Sequence, residues 1–478
     1  MSDHRPPEDP TDSTTEPATD LDRRGLLKLG VAGLGAAMVG GVLGCESDTG
    51  EQNAPSAGAN APTLGPAPAA PFAAPPLDGV RVGFVGVGLQ GGSHVQNFLR
   101  VENVEIRAVC DIDLARRDEV AGWVTEAGQA PPALYGDGET DFVRMCEEQD
   151  LDLVFNATPW RWHVPVCVAA MENGKHAATE VPAATSIEGC WQLVETAERT
   201  QRHCVMMENV NYGRSELMVL NMVRQGVFGE ILHAEGGYLH DLRAIKFEDA
   251  HEGLWRREWA KQRNANLYPT HGLGPIANCM DINRGDRFAT LVSMSSPSRG
   301  LQDYARENFP EGDPKRQERY VLGDVNVSLI QTALGRTIYV GHDTNLPRPY
   351  SRIHIVQGTK GLFQGYPDRV YVEGESEPHR WDDMDAWYER FEHPLWTRLR
   401  EASIGAGHGG MDFIEDWRLV QSLLEGEPTD MNVYDAAALS AVIELSERSV
   451  AEGSAPQEFP DFTRGGWERY PPLGIVGG

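Results

Sequence analysis

The sequence predicts an α/β protein: an N-terminal doubly wound parallel sheet, then an α+β domain whose sheet is large and mostly antiparallel. With 478 residues, the chain is long enough for two domains besides a leader. Short apolar runs alternate with helix-like segments up to about residue 210. After Ser215, longer runs alternate polar and apolar residues, which is typical of an antiparallel sheet with one covered face.

The first 44 residues resemble an export signal. Residues 22–28 (DRRGLLK) resemble a twin-arginine translocation motif, and an apolar Gly/Ala-rich stretch follows them. A transmembrane anchor is the alternative, but Lys28 and many glycines interrupt that stretch. Residues 42–45 (VLGC) resemble a lipobox, in which Cys45 would carry a lipid. We expect export by the twin-arginine machinery, with the protein periplasmic or tethered outside the cytoplasmic membrane.

Residues 45–77 are rich in Ala and Pro and are predicted to form a linker. We assign residues 78–212 to the first domain and residues 213–478 to the second. The net charge of −29 argues against nucleic-acid binding, because phosphates would be repelled. None of the seven cysteines forms a CxxC pair, so buried thiols are expected. The scattered histidines contain no HExxH motif, and no metal site is predicted.

A glycine motif stands between the first strand-like run, residues 80–87, and a helix-like segment at 93–101. This GxGxxG sequence, in the order strand, turn and helix, predicts a Rossmann dinucleotide site. Its glycines let the backbone approach a pyrophosphate, and the helix N-terminus favours the negative charge. The residues assigned to this turn are Gly86, Gly88, Leu89, Gln90 and Gly91.

Asp111 lies at the end of the second strand-like run and is placed to accept hydrogen bonds from the adenosine ribose. Together with Asp113 it would repel a 2′-phosphate, so NAD is favoured over NADP. Arg116 and Arg117 keep NADP open as an alternative.

The α/β alternation continues with strand-like residues 152–159, 176–184 and 203–212 and with helix-like residues 164–175 and 186–201. Ligands of such sheets bind beyond the carboxyl ends of the strands. The residues expected around this crevice are Trp160, Arg161, Trp162, His163, Glu180, Val181, Asn209 and Tyr212. Trp160 and Trp162 would equally suit packing at the edge of the sheet.

The second domain is predicted to open with a helix at 215–229. Strand-like runs follow at 231–242, 289–297, 325–345 and 352–365, and two late helices near 411–426 and 432–452. We expect its sheet to support both substrate binding and a homo-oligomer.

Eight longer motifs carry a family resemblance: ATPWRWH, ATEVP, MMENVNYGR, NLYPTHGLGP, INRGDRF, MSSP, HDTNLPRPYSR and GHGGMDF. At these motifs the sequence resembles the Gfo/Idh/MocA oxidoreductase superfamily. It is more closely similar to glycoside hydrolase family 109, the NAD-dependent α-N-acetylgalactosaminidases. The likeness runs from about Val80 to the C-terminus.

Sugar dehydrogenases of the superfamily usually carry Glu-Lys-Pro where this chain has Glu180-Val181-Pro182, so their proton-accepting lysine is absent. The aspartate that usually precedes the histidine of the second domain is also replaced, by Leu267 before His271. The hydrolase family shares both absences, and the pattern favours hydrolysis of a glycoside or glycan over net oxidation.

The resemblance implies a reaction in which the sugar is oxidised at C3, loses its C2 proton, eliminates the aglycone, adds water and is reduced again. Such a cycle needs no external NAD pool, and twin-arginine export carries folded, cofactor-loaded proteins. By resemblance the NAD contacts are Leu89, Gln90, Asp111, Trp160, Arg161, Trp162, His163, Glu180, Val181, Asn209 and Tyr268. The substrate contacts are Tyr238, Arg256, Tyr268, Pro269, Thr270, His271 and Tyr350.

We hypothesise that His271 handles the C3 hydroxyl proton, since histidine ionises near neutral pH. Either Tyr212 or Tyr268 would abstract the C2 proton, with Arg256 lowering the pKa of the phenol. His271 would also suit a helix cap, Arg256 a surface charge, and Tyr238 and Tyr350 the packing of a strand face.

Two other functions fit the sequence. The first is an exported NAD(P)-dependent sugar oxidoreductase of the Gfo/Idh/MocA type, which would release an oxidised product. The second is a lipid-tethered sugar-binding protein in which the dinucleotide is structural.

Overall fold

The structure, a computed structural model, describes Gly65 and residues 68–477, which lie in one compact unit. The predicted signal peptide (1–44) and Cys45 lie outside the described residues, so export and the lipid anchor stay predictions. Most of the predicted linker lies outside them too, but its last residues pack on the protein body. Ala74 is buried, and the Phe72 ring lies 4.8 Å from the ring of His203.

The first sheet is parallel and has six strands in the order β3-β2-β1-β4-β5-β6, which is the Rossmann order. Its strands are β1 (Val80–Val85), β2 (Val104–Cys110), β3 (Ala133–Tyr135), β4 (Leu153–Asn156), β5 (His176–Thr179) and β6 (Cys204–Met206). The helices between them are α1 (Leu89–Phe98), α2 (Leu114–Glu126), α3 (Phe142–Glu148), α4 (His163–Glu172) and α5 (Ile187–Thr200). The central strands read as short apolar runs because helices cover both faces of the sheet.

The second sheet has eight strands in the order β13-β12-β11-β7-β10-β9-β8-β14. They are β7 (Ile231–Leu239), β8 (Phe288–Ser295), β9 (Val325–Thr332), β10 (Thr337–Asp343), β11 (Ile355–Gly358), β12 (Gly361–Gln364), β13 (Arg369–Val372) and β14 (Gln457–Glu458). Only the β7–β10 pair in this sheet is parallel. The predicted fold class is therefore confirmed.

Nine helices accompany the second sheet in the described part of the chain: α6 (Arg214–Arg224), α7 (Arg243–Phe247), α8 (Gly253–Gln262), α9 (Thr270–Cys279), α10 (Gly300–Asn308), α11 (Asp385–Phe391), α12 (Pro394–Leu399), α13 (Met411–Glu425) and α14 (Val433–Ala451). A capping box starts α14, with Asn432 accepting from the Tyr434 and Asp435 backbone N–H groups. This long helix is almost entirely buried, because it packs against β8 on one side and α5 on the other.

The six cysteines within the described residues are all free and buried, as expected. In the same part of the chain, no helix is long and apolar enough to cross a membrane. The described residues likewise include no group of three or more His, Cys, Asp or Glu side chains arranged to hold a metal ion.

Candidate active site

The glycine motif forms the tight turn between β1 and α1, and α1 begins directly after Gly88, earlier than predicted. Gly86 has a positive φ of 79°, and an added Cβ would lie 2.8 Å from the carbonyl oxygen of Ala157. At Gly91 an added Cβ would lie 2.0 Å from the carbonyl oxygen of Gly86, so only glycine permits this close packing. Apart from its chain neighbours, no atom of the described residues lies within 4 Å of the position of a Cβ on Gly88, which leaves room beside the turn for a pyrophosphate.

Asp111 follows β2 and joins it to the glycine turn, because its Oδ2 accepts a hydrogen bond of 2.7 Å from the backbone N–H of Val87. Two apolar side chains of these loops are open to solvent: Leu89, at the start of α1, is 63% exposed, and Ile112, next to Asp111, is 62% exposed. An aspartate at the end of β2, with apolar groups exposed in the same loops, fits an adenosine.

Arg116 is already engaged by the protein. Its Nε donates to the carbonyl oxygen of Val87 at 2.8 Å, and Nη2 donates to that of Gly88 at 3.0 Å. Arg117 pairs with Asp118 at 2.7 Å. The two arginines that kept NADP open as an alternative thus already have partners within the protein. The residues present fit NAD better than NADP.

The predicted crevice residues divide into two groups. Trp160 is buried and its ring stacks on that of Tyr268, with centroids 5.8 Å apart and planes at 27°. Glu180 and Asn209 also lie inside the crevice region, where the Oδ1 atom of Asn209 is buried and has no hydrogen-bond partner among the residues that the structure describes. An orphaned buried oxygen at a predicted cofactor contact is consistent with a ligand there.

The other predicted crevice residues are engaged elsewhere. Arg161 is exposed and pairs with Glu139, and Trp162 packs edge-on against Phe142 with centroids 5.8 Å apart. Both ring nitrogens of the buried His163 lie within hydrogen-bond distance of backbone carbonyl oxygens, those of Pro182 and Thr158. Val181 is buried, and the peptide bond that follows it is cis.

Five of the predicted substrate residues meet in one aromatic cluster, which we define as Tyr238, Arg256, Tyr268, His271 and Tyr350. The ring centroids of Tyr238 and Tyr268 are 4.6 Å apart, and those of Tyr268 and His271 4.8 Å. Arg256 is buried, with its Cζ 5.0 Å from the Tyr268 ring centroid, and it pairs with Glu252 at 2.8 Å. Aromatic faces beside a guanidinium suit a sugar, which offers both apolar C–H faces and hydroxyls.

Three elements of the second domain, β7, α8 and α9, and two loops assemble this cluster. Tyr238 is near the end of β7, where its strand pairs with β10, and Arg256 lies on α8. Pro269 caps the N-terminus of α9 and the fully buried Thr270 begins that helix. Contrary to the strand-packing alternative, Tyr350 lies outside any strand, in the loop between β10 and β11, and is 38% exposed.

His271 forms a hydrogen bond with a carboxylate that the sequence reasoning did not single out. Its Nδ1 lies 2.7 Å from Oε1 of Glu208, a residue that is completely buried. Because a carboxylate accepts, Nδ1 carries the hydrogen and Nε2 of the neutral ring is left as an acceptor. Glu208 lies within the quoted MMENVNYGR motif, but the sequence does not indicate that it reaches the histidine.

The two candidate tyrosine bases lie in different surroundings. The Tyr212 hydroxyl donates to Oδ2 of Asp430 at 3.0 Å, and burial and that carboxylate raise the pKa of Tyr212 well above its ordinary value. Tyr268 instead lies between His271 and Arg256. Burial raises the pKa of Tyr268 well above the ordinary value although Arg256 acts to lower it. Arg256 thus acts in the expected direction, but desolvation outweighs the cation, so the expected net lowering of the Tyr268 pKa is not found.

His240 and Trp255 also contact this cluster and were not predicted. The ring of His240 packs edge-on against Tyr350 with centroids 4.9 Å apart, and its Nδ1 lies 3.1 Å from the Tyr238 hydroxyl. The ring centroid of Trp255 lies 5.1 Å from Cζ of Arg256, and the ring also packs edge-on against Trp160 with centroids 4.9 Å apart. The sequence points to these residues only by their positions: His240 is two residues after Tyr238, and Trp255 directly precedes Arg256.

Comparisons with known proteins match the chain in two parts, one for each sheet. The family model described as "Oxidoreductase family, NAD-binding Rossmann fold" matches residues 80–208, and "Glycosyl hydrolase 109, C-terminal domain" matches residues 212–469. A glycosyl hydrolase family 109 protein from a Shewanella species is 53% identical over 411 residues, covering 84% of this chain and 89% of the relative. The protein of that name from Shewanella baltica is 52% identical over the same length and shares of the chains.

Solved structures share the fold at low sequence identity. An NAD-binding oxidoreductase from Klebsiella pneumoniae has a TM-score of 0.63 at 16% identity, covering 80% of this chain and 98% of that one. An inositol dehydrogenase homologue from Azotobacter vinelandii, complexed with NAD+, has a TM-score of 0.61 at 19% identity, covering 81% and 99%. NAD is thus the cofactor of the first domain, and the chain belongs to glycosyl hydrolase family 109 as an NAD-binding enzyme of that family.

Proposed function

We propose that the protein removes terminal α-linked N-acetylgalactosamine from glycosides by transient oxidation at C3. The observation that carries this proposal is the His271–Glu208 pair within the aromatic cluster, where the neighbouring Tyr268 ring stacks on Trp160, a predicted NAD contact. Family membership supports glycoside hydrolysis, and the missing lysine after Glu180 supports a route other than simple dehydrogenation. When bound, NAD supplies an acceptor for the C3 hydride and returns it at the end of the cycle.

His271 is the proposed base for the C3 hydroxyl. Glu208 fixes the ring with hydrogen on Nδ1, so Nε2 can take the hydroxyl proton, and the buried carboxylate stabilises the imidazolium that forms. The same group can return that proton when the ketone is reduced again.

Tyr268 is the proposed acceptor of the C2 proton, in preference to Tyr212. Its ring lies against His271, and the charge of Arg256 favours the phenolate. Tyr212 has its hydroxyl held by Asp430, which is itself paired with Arg418 at 2.9 Å.

The test uses a chromogenic α-N-acetylgalactosaminide with deuterium at C2. We expect chromophore release with loss of the deuterium to water, and no net formation of NADH. His271→Gln and Tyr268→Phe should each lower turnover by about 10²-fold or more, as for general acid–base groups. Tyr212→Phe is the matched control and should retain deuterium loss at close to the unaltered rate.

Because the pKa of Tyr268 is raised well above its ordinary value, the phenolate fraction grows with pH over the neutral and alkaline range. The rate of C2 deuterium loss should therefore rise with pH until another group limits it. Release that keeps the deuterium would contradict the mechanism, and a severe defect in Tyr212→Phe alone would reverse the assignment of the base.

A sugar oxidoreductase is the second candidate, because the fold is shared with inositol dehydrogenases. In that case free sugars would cause the near-ultraviolet absorbance of reduced nicotinamide to grow, and no chromophore would be released from the glycoside.

A further inference from the structure

Helix α13 brings two buried carboxylates to the cofactor crevice, although it belongs to the second half of the chain. Asp412 and Asp416 are both 0% exposed and lie on one face of the helix, four residues apart. That face packs on α1, the helix that begins at the glycine turn. Burying two carboxylates so close together is unfavourable unless their partners compensate the charge.

Asp416 forms one end of a buried chain of charged groups. His94 Nδ1 lies 2.8 Å from Oδ1 of Asp416, and His94 Nε2 lies 2.8 Å from Oε1 of Glu180. Both carboxylates can only accept, so His94 satisfies both when each ring nitrogen carries a hydrogen. Burial would lower the pKa of His94, but Asp416 and Glu180 raise it well above the ordinary value. The structure thus holds Glu180 through an imidazolium.

Asp412 holds two further side chains of the predicted cofactor site. Its Oδ1 accepts from Nδ2 of Asn209 at 2.7 Å, and its Oδ2 accepts from Nε2 of Gln90 at 3.2 Å. With its nitrogen bound to Asp412, Asn209 keeps its buried Oδ1 atom without a partner within the described part of the chain. The two aspartates of α13 therefore orient three predicted cofactor contacts: Gln90 and Asn209 directly, and Glu180 through His94.

We propose that Asp412 and Asp416 are positioning residues of the NAD site, which makes α13 a component of that site. Asp416 acts on Glu180 through His94, and Asp412 acts directly on Gln90 and Asn209. The inference rests on NAD binding and on the assignment of these three side chains to the cofactor. It does not depend on the glycosidase chemistry, and a test without sugar separates the two.

The test is the dissociation constant of NAD, measured by calorimetry on the whole chain after removal of bound cofactor. His94→Gln, Asp416→Asn and Glu180→Gln should each weaken binding by about tenfold or more, as expected when a charge-assisted hydrogen bond is lost. The double variant His94→Gln/Glu180→Gln should be no weaker than Glu180→Gln alone, because His94 acts through Glu180.

Asp435→Asn is the matched control. It removes a buried carboxylate that pairs with Arg284 at 2.6 Å and touches no predicted cofactor residue. It should lower thermal stability and leave NAD affinity unchanged. The proposal is overturned if the His94 and Asp416 variants behave in the same way, if the two effects add in the double variant, or if Glu180→Gln binds NAD normally.

A measurement on the unaltered chain tests the proposal even if the variants do not fold. The charged groups that face His94 are Asp412, Glu415 and Asp416 from α13, His408 before that helix, and Glu180 after β5. NAD affinity should fall as the pH rises through the raised pKa of His94, because the imidazolium that holds Glu180 is lost. An affinity that does not change while NMR shows His94 losing its proton would overturn the proposal.

Discussion

His271 illustrates how a single contact changes the chemistry of a side chain. Without Glu208 the ring could carry its hydrogen on either nitrogen, and a helix N-terminus would be a sufficient reason for its position. The hydrogen bond of 2.7 Å to a completely buried carboxylate selects one tautomer and provides a counter-charge for the imidazolium. The residue is thereby suited to take up and return a proton.

His408 allows a direct test of the charge arrangement around α13. Its Nδ1 lies 2.8 Å from Oδ2 of Asp412, and this hydrogen bond raises the pKa of His408 above its ordinary value of 6.5. Burial would raise the pKa of Asp412, but His408 and His94 lower it to about 2. The stability that protonated His408 contributes is present below pH 6.5 and is lost as the pH rises through its raised pKa.

We expect an NMR titration to show His408 ionising above pH 6.5 in the unaltered protein and at a lower pH in Asp412→Asn, because burial is then the largest remaining influence on its pKa. A His408 pKa that is ordinary in both proteins would show that the pair does not form in solution.

At the scale of elements, the β1–α1 turn depends on close backbone packing. Gly91 lies in the first helical turn of α1. An added Cβ there would be only 2.0 Å from the carbonyl oxygen of Gly86 in the β1–α1 loop. Gly122 lies inside α2, and, its own helix backbone aside, no atom in the described part of the chain is within 4 Å of its added Cβ. The two glycines therefore have opposite roles although both are helical.

Gly91→Ala should lower the free energy of unfolding by about 1–3 kcal/mol through overpacking, and it should weaken NAD binding by distorting the turn. Gly122→Ala should raise the free energy of unfolding by about 0.5–1 kcal/mol, because alanine favours a helix over glycine. Denaturant unfolding and NAD titration check both. Equal effects of the two substitutions on stability would contradict the packing argument.

At the scale of the whole molecule, helices of the second half connect the two sheets. α14 packs on both α5 and β8, and α13 packs on α1. The cofactor residues and the aromatic cluster consequently meet where the two halves join, as Trp160 does by stacking on Tyr268. A site at such a junction depends on the register of both halves.

The face of the second sheet that α14 does not cover is apolar in part. Leu329 on β9 is 57% exposed, Met294 on β8 is 61% exposed, and Val327 beside them is half-buried. The expected homo-oligomer stays a prediction, and this face is where we place its interface. Leu329→Glu should lower the mass measured by light scattering, whereas Leu334→Glu, in the turn after β9, should not. A mass equal to one chain in the unaltered protein would contradict the prediction.

The sequence by itself determined the local structure and the family. The glycine turn, the α/β alternation and the two late helices were all predictable, and α5, expected at 186–201, forms at 187–200. These features follow from apolar periodicity, caps and turn residues, which act over a few neighbouring positions. The bounds of α1 and the helices α2 and α3 were less accessible, because their polar faces weaken that periodicity.

Only the tertiary structure decided which side chains act together. Glu208 reaches His271 across 63 positions, and Asp416 reaches His94 across 322. It also turned the Tyr212 hydroxyl towards Asp430 and left Tyr268 in the aromatic cluster. Contacts at such separations depend on how helices pack over the sheets, and no local pattern encodes that packing. The raised pKa of Tyr268 arises in the same way, because the burial that causes it exists only once the two halves of the chain have come together.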